Sequence, residues 1–352
     1  MSTQIGSRQA TGSHRITQLD GLRGVAIAMV FCFHAYKIPG LWMGVDLFFV
    51  LSGFLITGIL FNQKGKPFGS YIGHFYMRRA RRILPPYAIV LVVTGLIFGF
   101  GFLRYWYEYI GMMNLEMLRW FSPGPVTLPL WSLAVEEQFY LVWPLAVYVL
   151  RRRQLIALAA LLLVISPVLR YFCTPLFADQ GPIYMWLPFR MDTLAAGALI
   201  GLLWPVIREK VTSSAKAKRM LVAAATVAIV LAFAGFELLH RHGYRTTDNT
   251  QIGNSIDYSA TLVMMAGLLI LALVGVGARF LQSWPMIWLG RISFSVYLIH
   301  LTVLEFAPHH SSLIAAVGAI GYATVLWFLV EKPMTSAGQS KEKVLVTMTT
   351  AA

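Results

Sequence analysis

Long apolar runs recur along this chain with only short polar breaks between them, and each run is long enough to cross a lipid bilayer. A helix needs about 20 apolar residues to span the hydrocarbon core. Runs of that kind fall near 19–36, 43–61, 84–102, 130–150, 154–171, 183–204, 220–238, 257–277, 288–306 and 312–330. Backbone inside lipid must satisfy its own hydrogen bonds, so these runs fold as helices. The chain reads as all-α, a polytopic membrane helix bundle of about ten transmembrane helices. Composition agrees. Hydrophobic residues make up 57% of the chain, charged residues 12%, and the mean hydropathy is +0.66. A soluble domain of this length cannot hide that much apolar surface. Pro285 is expected to move the start of the ninth span toward Gly290.

Lys and Arg set the orientation. With a cytoplasmic N-terminus, one side collects Lys64, Arg78, Arg79, Arg81, Arg82, Arg151, Arg152, Arg153, Arg208, Lys210, Lys216, Lys218, Arg219, Arg279 and Lys332. The other side keeps Lys37, Arg104, Arg119, Arg170, Arg241 and Arg245. Both termini are therefore expected in the cytoplasm. The net charge of +14 lies between spans, where it serves topology, so no nucleic-acid partner is expected. Residues 1–18 read as a mobile cytoplasmic tail, 19–333 as one transmembrane domain and 334–352 as a second cytoplasmic tail. Two outer loops, 103–129 and 239–256, are longer than the rest. No cleavable signal peptide is read. Cys32 and Cys173 show no metal spacing, and neither a P-loop nor an HExxH motif is present, so no metal is expected.

The first span carries Arg23 near one end and His34 near the other, eleven residues apart. Three helical turns bring both onto nearly the same face, about 16 Å apart along the axis. Such a stripe lines something polar, or else Arg23 snorkels to headgroups and His34 sits at the interface. Other spans supply Asp46, Glu136, Glu137, Arg190, Asp192 and His300 at middle-to-outer depth. Polar groups from separate helices at one depth suggest a buried chamber. On the cytoplasmic side, Arg78, Arg79, Arg81 and Arg82 precede a span. They serve topology and headgroup contact, or, through Arg79 and Arg82 on one face, hold a phosphate-bearing ligand.

Together these motifs resemble the membrane-bound acyltransferase family 3, the O-acyltransferases of sugars, peptidoglycan and macrolides. The matching stretches are Leu19-Asp-Gly-Leu-Arg-Gly24 with Arg-x10-His, Gly44-Val-Asp-Leu-Phe-Phe-Val-Leu-Ser-Gly53, Arg79-x-x-Arg82, Trp131-Ser-Leu-Ala-Val-Glu-Glu-Gln-Phe-Tyr140, Arg190-x-Asp192, Gly290 to His300, and Glu331-Lys-Pro333. The resemblance implies transfer of an acyl group, acetyl first among them, from acyl-CoA as co-substrate to a hydroxyl of a carbohydrate, lipid-linked glycan or macrolide. It implies His34 as general base or transient acyl carrier, Glu136 as its acidic partner and Arg23, Arg79 and Arg82 as donor-handling residues. It also implies a multi-pass protein of the bacterial inner membrane, in contact with membrane lipids. The esterase-like domain that some relatives carry after the membrane part is not expected here.

The chemistry of the residues fits. A sugar hydroxyl needs a base within hydrogen-bond reach, and a carboxylate such as Glu136 orients or stabilises a histidine. The oxyanion of a thioester under attack needs donors, for which Ser52, Tyr297 and Arg190 are candidates. Ser52 in Leu-Ser-Gly also suits close helix packing, and His300 a structural hydrogen bond. A transporter or flippase would equally place a polar chamber in such a bundle.

Overall fold

The computed structural model describes residues 16–101, 111, 128–244, 248–308 and 311–336. Most of the predicted loop 103–129, with Arg104 and Arg119, lies outside the described residues, as do Arg245 and nearly all of both tails. The described residues form helices α1 (Thr17–Tyr36), α2 (Gly44–Gln63), α3 (Phe68–Phe98), α4 (Leu130–Val149), α5 (Arg152–Cys173) and α6 (Gly181–Met185). They continue as α7 (Leu187–Ser213), α8 (Ala215–Arg241), α9 (Gln251–Leu273), α10 (Ala278–Leu281), α11 (Trp284–Phe306) and α12 (Ser312–Leu326). A π-helical turn, Trp327–Glu331, follows α12. Among the described residues, eight helical segments are long and apolar enough to cross a membrane. The predicted spans 84–102 and 130–150 are not among the eight. The first lies in α3 and runs past the described residues. The second is α4, where Glu136, Glu137 and Gln138 lower the hydropathy.

The boundaries follow local chemistry. Ser214, Thr250 and Ser311 cap α8, α9 and α12 by accepting from Ala217, Gly253 and Ile314 backbone N–H groups. The ninth span starts at Trp284 and not near Gly290, because Pro285 falls in the first turn, where its missing N–H would have had no partner. The eighth starts at Gln251, six residues before its predicted edge, which puts Asp257 well inside the helix.

Two helix crossings set the frame. An added Cβ at Gly290 on α11 would stand 1.7 Å from the Asp20 carbonyl oxygen of α1, and one at Gly24 would stand 2.5 Å from that of Met286. On α2 and α7, Gly53 and Gly197 each press against a backbone carbonyl of the other helix, with added Cβ atoms 1.9 Å away. Bare backbones let helices approach closely where lipid gives no hydrophobic drive for association. Apolar residues left outside, such as Val227, Val230, Leu231 and Phe233 on α8, face the position of lipid.

Candidate active site

The two ends of α1 stand in two different chambers. His34 lines an upper cavity of about 620 Å³, with Tyr297 and His300 of α11, Trp131 of α4, Tyr184 of α6, Tyr258 of α9 and His240 of α8. Arg23 lines a lower one of about 60 Å³, with Glu136 and Ser132 of α4 and Ser293 and Tyr297 of α11. Tyr297 and Val45 belong to both walls. The tyrosine hydroxyl bonds Ser132 Oγ at 2.6 Å, so this pair stands between the chambers.

Hydrogen bonding fixes the tautomers of the two central histidines. His300 Nδ1 lies 2.7 Å from the Tyr297 carbonyl, so it carries the hydrogen and donates. Its Nε2 is then an acceptor, and His34 Nδ1 stands 3.2 Å from it. His34 Nδ1 is also 2.9 Å from the Val30 carbonyl, so it too carries a hydrogen. That leaves His34 Nε2 with a free lone pair among the described residues, the state a general base needs. The arrangement gives His300 a defined partner where the sequence offered a place in a polar chamber or a structural bond.

Glu136 does not touch His34. Its Oε1 accepts from Ser52 Oγ at 2.6 Å and its Oε2 from the Tyr140 hydroxyl at 2.8 Å. The carboxylate belongs to the lower chamber, where it faces the charges of Arg23 and, across Tyr140, Arg79. The Arg79 guanidinium stacks on Tyr140, 4.3 Å from the ring centroid. Arg82 faces Arg23, Arg79 and Glu331. Glu331 is buried and accepts from Ser295 Oγ at 2.5 Å. The sequence placed Glu136 beside His34 at the outer depth. In the structure α4 enters beside the upper cavity at Trp131 and has descended a turn and a half by Glu136, which carries the acid down to the arginines. Ser52 likewise serves the site, while its neighbour Gly53 makes the close packing.

The remaining predicted chamber residues stand behind the walls. Arg190 Nη2 bonds Asp46 Oδ1 at 2.5 Å, and Arg170 Nη2 bonds Asp192 Oδ2 at 2.8 Å, with all four side chains buried. The Arg190 guanidinium lies 4.5 Å from the Tyr258 ring centroid and 5.4 Å from that of Tyr184. The ion pairs therefore brace the aromatic wall from behind and do not open on the cavity. Glu137 lines neither chamber, and its carboxylate lies where a side chain at Gly111 would begin. Among the described residues no group of three His, Cys, Asp or Glu side chains is spaced to hold a metal ion.

Four residues escaped the sequence reading. Arg170 was placed on the outer side as a topology charge, although a burial partner two helices away neutralises it. Asp257 fell on the first residue of a predicted span and His240 in the predicted loop 239–256, whereas α8 and α9 extend further. Glu331 was seen only as part of a motif. For Asp257 the missed signal was an acid within an apolar helix, which defaults to a partnered position.

A family model described as an acyltransferase domain, acyltransferase 3, matches residues 16–331. An O-acetyltransferase OatA of Staphylococcus aureus is 30% identical over 317 residues, which cover 82% of this chain and 50% of that protein. A peptidoglycan O-acetyltransferase OatA of Listeria monocytogenes is 27% identical over 325 residues, 82% of this chain and 49% of that protein. The chain thus spans about half the length of the curated relatives it matches. No solved structure matches it.

Proposed function

The chain belongs to the acyltransferase 3 family, and on that premise we propose that it is a multi-pass membrane O-acyltransferase that moves an acetyl group from acetyl-CoA to a carbohydrate hydroxyl. The observation that carries the reading is the lone pair on His34 Nε2 in an aromatic cavity, on the same helix as Arg23 in a second chamber. The aromatic walls suit the apolar faces of a sugar ring. The cluster of Arg23, Arg79 and Arg82 suits the phosphates of a nucleotide-bearing donor.

In the proposed reaction the donor docks at the lower end, where Arg79 and Arg82 hold its phosphates and Arg23 stands next along the path. Its thioester passes the Tyr297–Ser132 pair. His34 Nε2 takes the proton of the acceptor hydroxyl as the oxygen attacks the thioester carbonyl. Tyr297, which borders both cavities, donates to the oxyanion by turning its hydroxyl from Ser132, while Ser52 is held by Glu136 and Arg190 by Asp46. The carbon–sulfur bond then breaks, and the thiolate takes the proton that His34 removed from the acceptor and leaves toward the lower chamber as the thiol, which restores the neutral imidazole. Glu136, held by Ser52 and Tyr140, neutralises part of the arginine charge when the donor is absent. With the lower end cytoplasmic, as the Lys and Arg distribution favours, the acceptor enters from outside. The relatives named above act on peptidoglycan or carry out O-acetyl transfer by name, which makes a cell-wall glycan the first acceptor to try.

The test is thioester turnover. Purified protein in lipid nanodiscs, given acetyl-CoA and soluble peptidoglycan glycan fragments, releases free thiol and acetylates the glycan. A transporter would move or bind its substrate and release no thiol, and that result would end the acyltransferase reading.

A further inference from the structure

The upper cavity contains a second histidine with a free lone pair. His240, near the end of α8, has Nε2 2.9 Å from Asp257 Oδ2. Asp257 is fully buried in α9, while His240 keeps a quarter of its side-chain surface, 26%, exposed to the cavity it lines. The ring packs on Phe236 with centroids 4.0 Å apart, which fixes its plane. A carboxylate at Nε2 holds the hydrogen there, so Nδ1 is left as an acceptor without a partner among the described residues. An acid inside an apolar helix is costly unless it is partnered. His300 and the backbone already orient His34. Asp257 orients His240.

From this geometry we infer that His240, set by Asp257, is an acceptor-binding subsite that takes a hydrogen bond from a second hydroxyl of the carbohydrate and so presents the reacting hydroxyl to His34. The inference rests on the acyl-transfer reading for the identity of the reacting group. The chemistry of this wall favours a polyhydroxylated ring. Tyr258 and Trp42 stand edge to face at 5.6 Å and offer apolar surface beside the imidazole. Glu237 adds a carboxylate at the rim, braced by Arg241 at 3.2 Å. Hydroxyl acceptors alternating with ring faces match a sugar, whereas a purely apolar acceptor would leave His240 Nδ1 desolvated and unpaired.

The experiment compares His240→Ala, His240→Gln, Asp257→Asn and His34→Ala in nanodiscs, each checked for folding by thermal unfolding. The probes are acetyl-CoA and soluble peptidoglycan glycan fragments. His240→Ala is expected to raise the glycan KM about tenfold, the worth of one hydrogen bond to a desolvated group. It should leave both the acetyl-CoA KM and the slow release of thiol to water without glycan unchanged. Asp257→Asn should move the glycan KM in the same direction by less. His240→Gln keeps an acceptor oxygen and a donor for Asp257, and should recover most of the loss. Glycan binding without donor, followed by quenching of tryptophan fluorescence, should weaken in His240→Ala and survive in His34→Ala. An unchanged glycan KM and binding constant in His240→Ala would overturn the subsite. Loss of the water reaction in that variant would overturn it too, by making the dyad part of the bond-making chemistry. If His34→Ala keeps full turnover, the acyl-transfer mechanism fails instead, and the binding titration alone still decides the role of His240.

Discussion

His34 Nδ1 lies 3.2 Å from His300 Nε2, and the two rings belong to helices more than 260 residues apart in the chain. Their centroids are 5.0 Å apart. The contact exists because α1 and α11 touch backbone to backbone at Gly24 and Gly290. The pair makes different demands on its members. His34→Ala removes the base and should lower kcat by about 10²–10⁴-fold. His300→Ala removes only the group that receives the His34 hydrogen, so a loss of about tenfold in kcat is expected, with the acetyl-CoA KM unchanged. Steady-state thiol release from both purified variants checks this. Equal losses would mean that His300 itself does chemistry.

The crossing gives the next expectation. A methyl at Gly290 would meet the Asp20 carbonyl oxygen at 1.7 Å, so α1 and α11 must separate. Overpacking of this kind costs about 1–3 kcal/mol or more and should also pull His34 away from His300. Gly290→Ala is therefore expected to lower both the unfolding temperature and kcat. Gly58→Ala is the control, since an added Cβ there meets nothing within 4 Å. A Gly290→Ala protein as stable and active as Gly58→Ala would refute the close-crossing account.

Asp46 and Arg190 make no direct contribution to the proposed chemistry, yet Asp46→Ala should be severe. It leaves the Arg190 guanidinium buried without its carboxylate, and breaking a buried pair costs about 3–5 kcal/mol. The double variant Asp46→Ala with Arg190→Met removes both charges and should regain much of that loss. Thermal unfolding in one detergent compares the three proteins. No recovery in the double variant would show that the pair does more than neutralise itself.

Arg82→Ala is expected to raise the acetyl-CoA KM while leaving glycan KM in place, because Arg82 stands with the charges of Arg23, Arg79 and Glu331 and does not line the aromatic cavity. Arg79→Ala should do the same and also lower stability, since it loses its stack on Tyr140. A charge contribution to donor binding weakens with salt. Raising ionic strength should therefore increase the donor KM of the unmodified protein more than that of Arg82→Ala. Glycan KM rising alone in either variant would remove the donor assignment.

Much of this was legible in the sequence. Apolar length alone marked the helices, because lipid admits few alternatives. Arg23 and His34 were placed on one helix, and that helix carries them into two cavities that share Tyr297. What the sequence could not supply was partnership across helices. Glu136 and His34 shared an apparent depth, yet α4 descends between them, and only the packing against Ser52 and Tyr140 reveals its side. Asp46 and Arg190 looked like chamber groups because an ion pair hidden behind an aromatic wall has the same sequence signature as one lining a cavity. Asp257 was obscured by a span edge six residues too late.

The sidedness of the upper cavity yields the last prediction. The cationic ends of several helices share the side of the α1 N-terminus. Lys64, after α2, donates to the Val147 carbonyl at the end of α4 and to that of Leu150 at 2.5 Å. Arg152, at the start of α5, donates to the Leu202 carbonyl of α7 at 2.7 Å. The basic clusters at the helix ends therefore gather at one level, and a charge excess of that kind marks the cytoplasmic face. His34 stands about 16 Å further along α1 than Arg23, toward the opposite face. The upper cavity should then open outward. Phe33 lines it beside His34, so Phe33→Cys, in a protein with Cys32→Ala and Cys173→Ala, places one thiol in the cavity. A membrane-impermeant maleimide added to intact cells should label this cysteine, and soluble glycan fragments should slow the labelling. The same reagent applied from the cytoplasmic side of inverted vesicles should not reach it. Labelling confined to inverted vesicles would reverse the orientation and place the carbohydrate acceptor in the cytoplasm.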